Sequence, residues 1–125
     1  MRLLAEGMQS RKAKPVAKQK KTVAGRLHGS LIEDYCMIGD CETAALVSRE
    51  GSIDWLCWPT FSSAACFAAL LGTRDHGFWQ IAPSGKVKAI RRQYEAHTLV
   101  VETTFETEDG EVCLIDFMPP RERRE

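Results

Sequence analysis

From residue 31 onward the chain is a succession of short apolar runs cut by polar breaks. YCMIGD (35–40) is one such run, closed by Gly39-Asp40. TAALV (43–47) and SIDWLCW (52–58) flank the break Arg49-Glu50-Gly51. A glycine inside a short polar break between β-prone runs predicts a hairpin. In the second run Ile53, Trp55 and Cys57 alternate with Asp54, Leu56 and Trp58. A period of two puts alternate side chains on opposite faces of a sheet. The pattern therefore predicts Ile53, Trp55 and Cys57 facing inward, with Leu56 and Trp58 outward. Pro59 then ends the strand.

The next stretch, SSAACFAALLGT (62–73), has a different texture. Ser62 or Ser63 supplies an N-cap, 64–71 holds good helix formers, and Gly72 supplies a stop. One short helix of about two turns is predicted there, with Phe67, Leu70 and Leu71 inward. Beyond it the β pattern returns. GFWQIAP (77–83) reads as a strand and KVKAIRRQYE (86–95) as a more exposed one. In 99–106, Leu99, Val101, Thr103 and Phe105 fall on one face and Glu102, Thr104 and Glu106 on the other. Asp109-Gly110 marks a hairpin turn, and 112–118 is the return strand, stopped by Pro119-Pro120. The fold class that follows is mostly β: an antiparallel β-sandwich with one short helix.

Charge changes the picture at the N-terminus. Residues 1–30 carry eight Lys or Arg against one acid, leaving nine basic and sixteen acidic groups in the remainder. The formal net charge of zero is therefore a sum of two unlike parts. Residues 1–29 show no sustained apolar period, and such a segment buries too little to offset its ordering entropy. They are expected to be a disordered basic extension. It lacks interleaved aromatics or a reader motif, which argues against nucleic-acid binding. No apolar run approaches the ~20 residues of a membrane span, and no signal-like h-region follows the N-terminal charges. A cytoplasmic location with reduced thiols is the expectation. The five cysteines (36, 41, 57, 66 and 113) form no Cys-x-x-Cys, and His28, His76 and His97 are scattered. No metal site and no cofactor are expected from such spacing, and most thiols are expected to be buried.

Candidate site residues are few. A glycosidase needs paired carboxylates. Asp54 stands alone between Ile53 and Trp55, and reads as a carboxylate accepting hydrogen bonds at the sheet rim. Asp40 and Asp116 flank turns, where Asp bonds local backbone N–H groups. Cys66 sits at the start of the predicted helix without a neighbouring His, so a nucleophilic role is not expected. Trp58 is the aromatic expected to lie outside the core. It suits an interdomain contact or a sugar-stacking platform. No catalytic residue is assigned.

The ordered series Ile-Gly-Asp (38–40), Gly-Ser-Ile-Asp-Trp-Leu-Cys (51–57), Phe-Ala-Ala-Leu-Leu-Gly (67–72) and Asp-Phe-Met-Pro (116–119) closely resembles the N-terminal domain of bacterial family-15-type glycoside hydrolases. These are glucoamylase-like and trehalase-like enzymes, and the resemblance runs from about Leu31 to Arg121. It implies a β-sandwich preceding a catalytic (α/α)6 barrel. It also implies inverting hydrolysis of α-glucosidic bonds, in trehalose or an α-glucan, by two glutamates of that barrel. Inversion requires carboxyl groups roughly 6.5–9.5 Å apart, with room for a water. On this resemblance 30–125 is a non-catalytic accessory segment without its barrel. Its sandwich lacks later strands, so self-association through open edges is expected. The resemblance also implies an Arg-Phe-Asp-Ser-Pro-like stretch where this chain reads Thr60-Phe61-Ser62-Ser63-Ala64. A basic and an acidic group are replaced there by small neutral residues. Two other readings stand beside this one: a free-standing carbohydrate-binding module centred on Trp58, and a basic-tailed nucleic-acid-binding interaction protein.

Overall fold

The computed structural model describes residues 31–121. The basic extension expected at 1–29 lies outside the described residues. The described part is mostly β, in two antiparallel sheets. The first sheet contains β1 (Cys36–Gly39), β2 (Ala44–Val47), β3 (Ser52–Cys57) and β4 (Ala65–Phe67) in that order, with β5 (Trp79–Gln80) also pairing β3. The second contains β6 (Val87–Tyr94), β7 (Val101–Thr107) and β8 (Glu111–Asp116) in that order.

The two hairpins fall where the glycines predict them. Ser48 N–H donates to Ser52 C=O at 2.7 Å across the β2–β3 turn. Gly51 has φ +73, and a Cβ there would stand 2.6 Å from the Ile81 carbonyl oxygen. Both the left-handed backbone and the close approach exclude a side chain. At the β7–β8 turn, Thr107 N–H donates to Gly110 C=O at 2.8 Å.

The core lies between the sheets. Ile38, Ala45 and Val47 of the first sheet pack with Val101 of the second, joined by Cys36, Ile53, Leu56 and Met118. Val101, Thr103 and Phe105 are buried, as the alternation along β7 predicts.

β3 departs from its predicted alternation. Its register against β2 shifts, so Val47 pairs Ile53 while Leu46 pairs Trp55 and Ala45 pairs Leu56. Asp54 is the extra residue. A bulge of one residue inverts the phase beyond it, and a second shift, between Leu56 and Cys57 against β4, leaves Cys57 buried and Trp58 exposed as expected. Ile53 and Leu56 therefore share the core face, and Trp55 joins Leu46 on the other. Leu56 was expected outward and Trp55 inward; both are reversed.

The predicted helix over 64–71 is also replaced. Ala65–Phe67 is strand β4, with Phe67 opposite Leu56 and Ala65 opposite Cys57. Only a 3-10 turn, Ala69–Leu71, follows it. Helix propensities differ by tenths of a kcal/mol per residue, and a two-turn helix is marginal by itself. Pairing the free edge of β3 outweighs them. Leu71, expected inward, is 74% exposed.

The two flanks of the sandwich are built differently. On the β6 flank, Arg92 reaches across to donate to the Asp34 C=O at 2.6 Å and the Val47 C=O at 3.3 Å. The Tyr94 hydroxyl donates to the Met37 C=O at 3.0 Å and accepts from the Met37 N–H at 2.7 Å. On the β8 flank the sheets diverge around a cleft of about 460 Å³. Ile53, Phe67, Trp79 and Ile81 line it from the first sheet, and Leu114 and Asp116 from the second.

Candidate functional site

Trp58 leaves the end of β3 and is 47% exposed. One face of its indole is covered by Arg121, whose guanidinium carbon stands 4.5 Å from the ring centroid. That guanidinium is held in turn. Its Nε donates to Asp40 Oδ2 at 2.6 Å and one terminal nitrogen donates to the Pro59 C=O at 2.5 Å. Glu42 lies 3.8 Å from the same terminal nitrogen. Asp40 is buried in the β1–β2 turn, where its Oδ1 accepts the backbone N–H groups of Glu42 at 3.0 Å and Thr43 at 2.8 Å. Burial pushes the Asp40 carboxyl up. The Arg121 hydrogen bond and the Thr43 and Glu42 N–H groups outweigh it and hold the carboxyl below its usual range. A stacked cation, a planar ring and a buried carboxylate thus share one surface.

The other acids are engaged differently. Asp54 accepts the Tyr35 hydroxyl at 2.8 Å and the Ser52 hydroxyl at 2.5 Å, which is the hydrogen-bonded rim carboxylate expected of it. Asp116, expected to bond local backbone, instead points one buried carboxylate oxygen without a partner into the sandwich. The reason is its place on the inward face of β8, opposite Val101. Burial raises its pKa above the usual value.

The thiols also differ from expectation. Cys57 is buried and Cys36 half-buried, but Cys41, Cys66 and Cys113 are exposed. Cys66 stands on edge strand β4, so no helix N-terminus acts on it. Cys113 lies on the solvent face of β8, opposite Thr104. Among the described residues no group of three or more His, Cys, Asp or Glu is placed to hold a metal ion. No helix among them is long and apolar enough to cross a membrane.

The loop 60–63 is closed by its own hydroxyls. Ser63 N–H donates to the Thr60 C=O at 3.0 Å, and the Thr60 and Ser63 hydroxyl oxygens are 3.0 Å apart. Phe61 beside them is 65% exposed. Sequence reasoning passed over two residues of this region. Arg121 carried no signal beyond its place after Pro119-Pro120, and Tyr35 none beyond its place before β1.

The family model described as trehalase-like, N-terminal, matches residues 17–125. The chain belongs to the trehalase-like N-terminal family. Curated relatives agree. A trehalase of Mycolicibacterium smegmatis is 38% identical over 85 residues, covering 68% of this chain and 13% of that protein. A trehalase of Mycobacterium tuberculosis is 36% identical over 85 residues, covering 68% and 12%. Trehalase 2 of Sulfolobus acidocaldarius is 35% identical over 86 residues, covering 69% and 14%. The matched region of this trehalase-like N-terminal chain thus spans only 12–14% of these relatives' length. No solved structure matches it.

Proposed function

We propose that this trehalase-like N-terminal chain is a non-catalytic accessory segment of a family-15-type glycoside hydrolase. Its catalytic partner is an (α/α)6 barrel that hydrolyses an α-glucosidic bond, of trehalose first, with inversion. The observation that carries this reading is the family match over 17–125 together with relatives that are all trehalases several times longer. The described acids support it. Asp40 is paired with Arg121 and both oxygens of Asp54 accept hydroxyl hydrogen bonds, so both carboxylates are already engaged and neither is placed as the water-activating base that inversion requires. In this reading Trp58, Phe61 and Arg121 form the face presented to the barrel, and the enzyme works in the cytoplasm.

The test is a graft. Residues 31–121 replace the aligned segment of the M. smegmatis trehalase, and glucose release from trehalose is measured. The expected result is retained activity in the graft and none from the isolated chain above a heat-killed control. Glucose release by the isolated chain, or a folded graft without activity, overturns the reading. The second reading, a free-standing carbohydrate-binding module, rests on the exposure of Trp58, at 47%. Quenching of tryptophan fluorescence by trehalose or maltose, lost in Trp58→Ala, would favour it.

A further inference from the structure

β1 is the outer strand of the first sheet, and among the described residues it pairs with β2 alone. Along an antiparallel pair, residues alternate between exchanging both backbone bonds with the neighbour and turning both outward. The β1–β2 turn closes with Asp40 N–H donating to the Thr43 C=O, so Ile38 and Cys36 bond β2 and Met37 faces outward. An outward N–H and C=O are the groups by which a sheet accepts a further strand. β1 has none of the usual protections against that. It runs in unbroken register with β2 and contains no Lys, Arg or Pro. β6, by contrast, carries Lys88, Arg91 and Arg92, and its register against β7 is broken between Val87 and Ala89. β4 and β5 are only three and two residues long.

At Met37 both outward groups are taken, and by one atom. The Tyr94 hydroxyl accepts the Met37 N–H at 2.7 Å and donates to the Met37 C=O at 3.0 Å. That two-way exchange is the one a facing residue of an added strand would make. Tyr94 belongs to β6, in the other sheet, and crosses the flank to make it. We propose that Tyr94 guards this edge: its hydroxyl fills the strand-accepting groups of β1 and keeps another chain from adding a strand there. The protection hangs on a single oxygen. Phenylalanine at 94 keeps the ring but leaves both Met37 groups against carbon, and a strand added along β1 restores their bonds. Met37 is half-exposed, so an incoming backbone can reach it once the hydroxyl is gone. This inference does not rest on the trehalase reading.

Sedimentation velocity of the full 125-residue chain under reducing conditions, from low to high micromolar, tests it. Tyr94→Phe should self-associate at a concentration at least about tenfold lower than the wild type. Adding Met37→Lys puts a charge on the opened edge, a device that edge strands use against pairing. The double variant Tyr94→Phe/Met37→Lys should therefore sediment as the wild type does, which also shows that phenylalanine at 94 leaves the fold intact. Tyr94→Phe/Cys113→Lys, with the same charge on the other sheet, should still associate. Equal behaviour of Tyr94→Phe and the wild type overturns the proposal, because the hydroxyl then guards nothing. Association that survives Met37→Lys, or that Cys113→Lys abolishes as well, overturns it equally, because the contact then does not run along β1.

Discussion

The β6 flank and the β8 flank close the same two sheets with different chemistry. On the β6 side, Arg92 and Tyr94 cross to backbone groups of Asp34, Met37 and Val47. These ties bond main-chain groups of the first sheet and of the turn that precedes it, and depend on no carboxylate. On the β8 side the sheets part around the cleft, and the tie that crosses there is the ion pair of Arg121 with Asp40. It clips the chain leaving β8 to the β1–β2 turn. One flank is held by the fold's own backbone, the other by a single charged clip beside an apolar space. Stability should therefore respond to different variables on the two sides.

The largest effect should come from the shared centre. Phe105 is 1% exposed and packs beneath the Gly51 turn, so Phe105→Ala should cost about 3–5 kcal/mol in urea unfolding. A cost under about 1 kcal/mol would mean that the sheets do not meet there. Arg121→Ala comes next. It leaves the buried Asp40 carboxylate without its cation, for about 1–3 kcal/mol. It should also flatten the acid dependence. The folded Asp40 has a pKa below its unfolded value, so its contribution is present above the unfolded pKa and is lost as pH falls through the folded one. Wild-type stability should fall on acidification below about pH 4 more steeply than that of Arg121→Ala. Identical acid slopes would remove Asp40 from the account.

Tyr94→Phe should cost about 1 kcal/mol, because it removes both bonds to Met37. The smallest effect has the opposite sign. Asp116 has a raised folded pKa, so between its unfolded and folded values the native state holds the extra proton and stability falls as pH rises. Asp116→Asn should therefore gain up to about 1 kcal/mol at neutral pH. A loss there would show that the carboxylate has a partner.

Much of this was legible in the chain, and the misses have physical causes. Gly51 and Gly110 announced their hairpins because a positive φ is a local requirement. The inward row Val101, Thr103, Phe105 was legible because β7 is the central strand of its sheet and its alternation is unbroken. The segment 64–71 was misread because its alanines favour a helix only weakly, while the unpaired edge of β3 lies far from them in any local pattern. The bulge at Asp54 left no composition signal, so Leu56 and Trp55 were assigned to the wrong faces. At the candidate site the alternation was enough to place Trp58 outside the core, where Phe61 and Trp79 are also exposed, but it gave no sign of its companion. Arg121 is 81 residues from Asp40, and no periodicity links residues so far apart.

The contrast between the flanks is tested most directly by the difference in urea unfolding free energy between Arg92→Ala and Ile81→Ala. Arg92 holds the closed flank, whereas Ile81 lines the cleft and is 52% exposed. The account predicts a loss of about 2–3 kcal/mol for the first and under about 1 kcal/mol for the second. Equal losses, or a larger loss at Ile81, would contradict it.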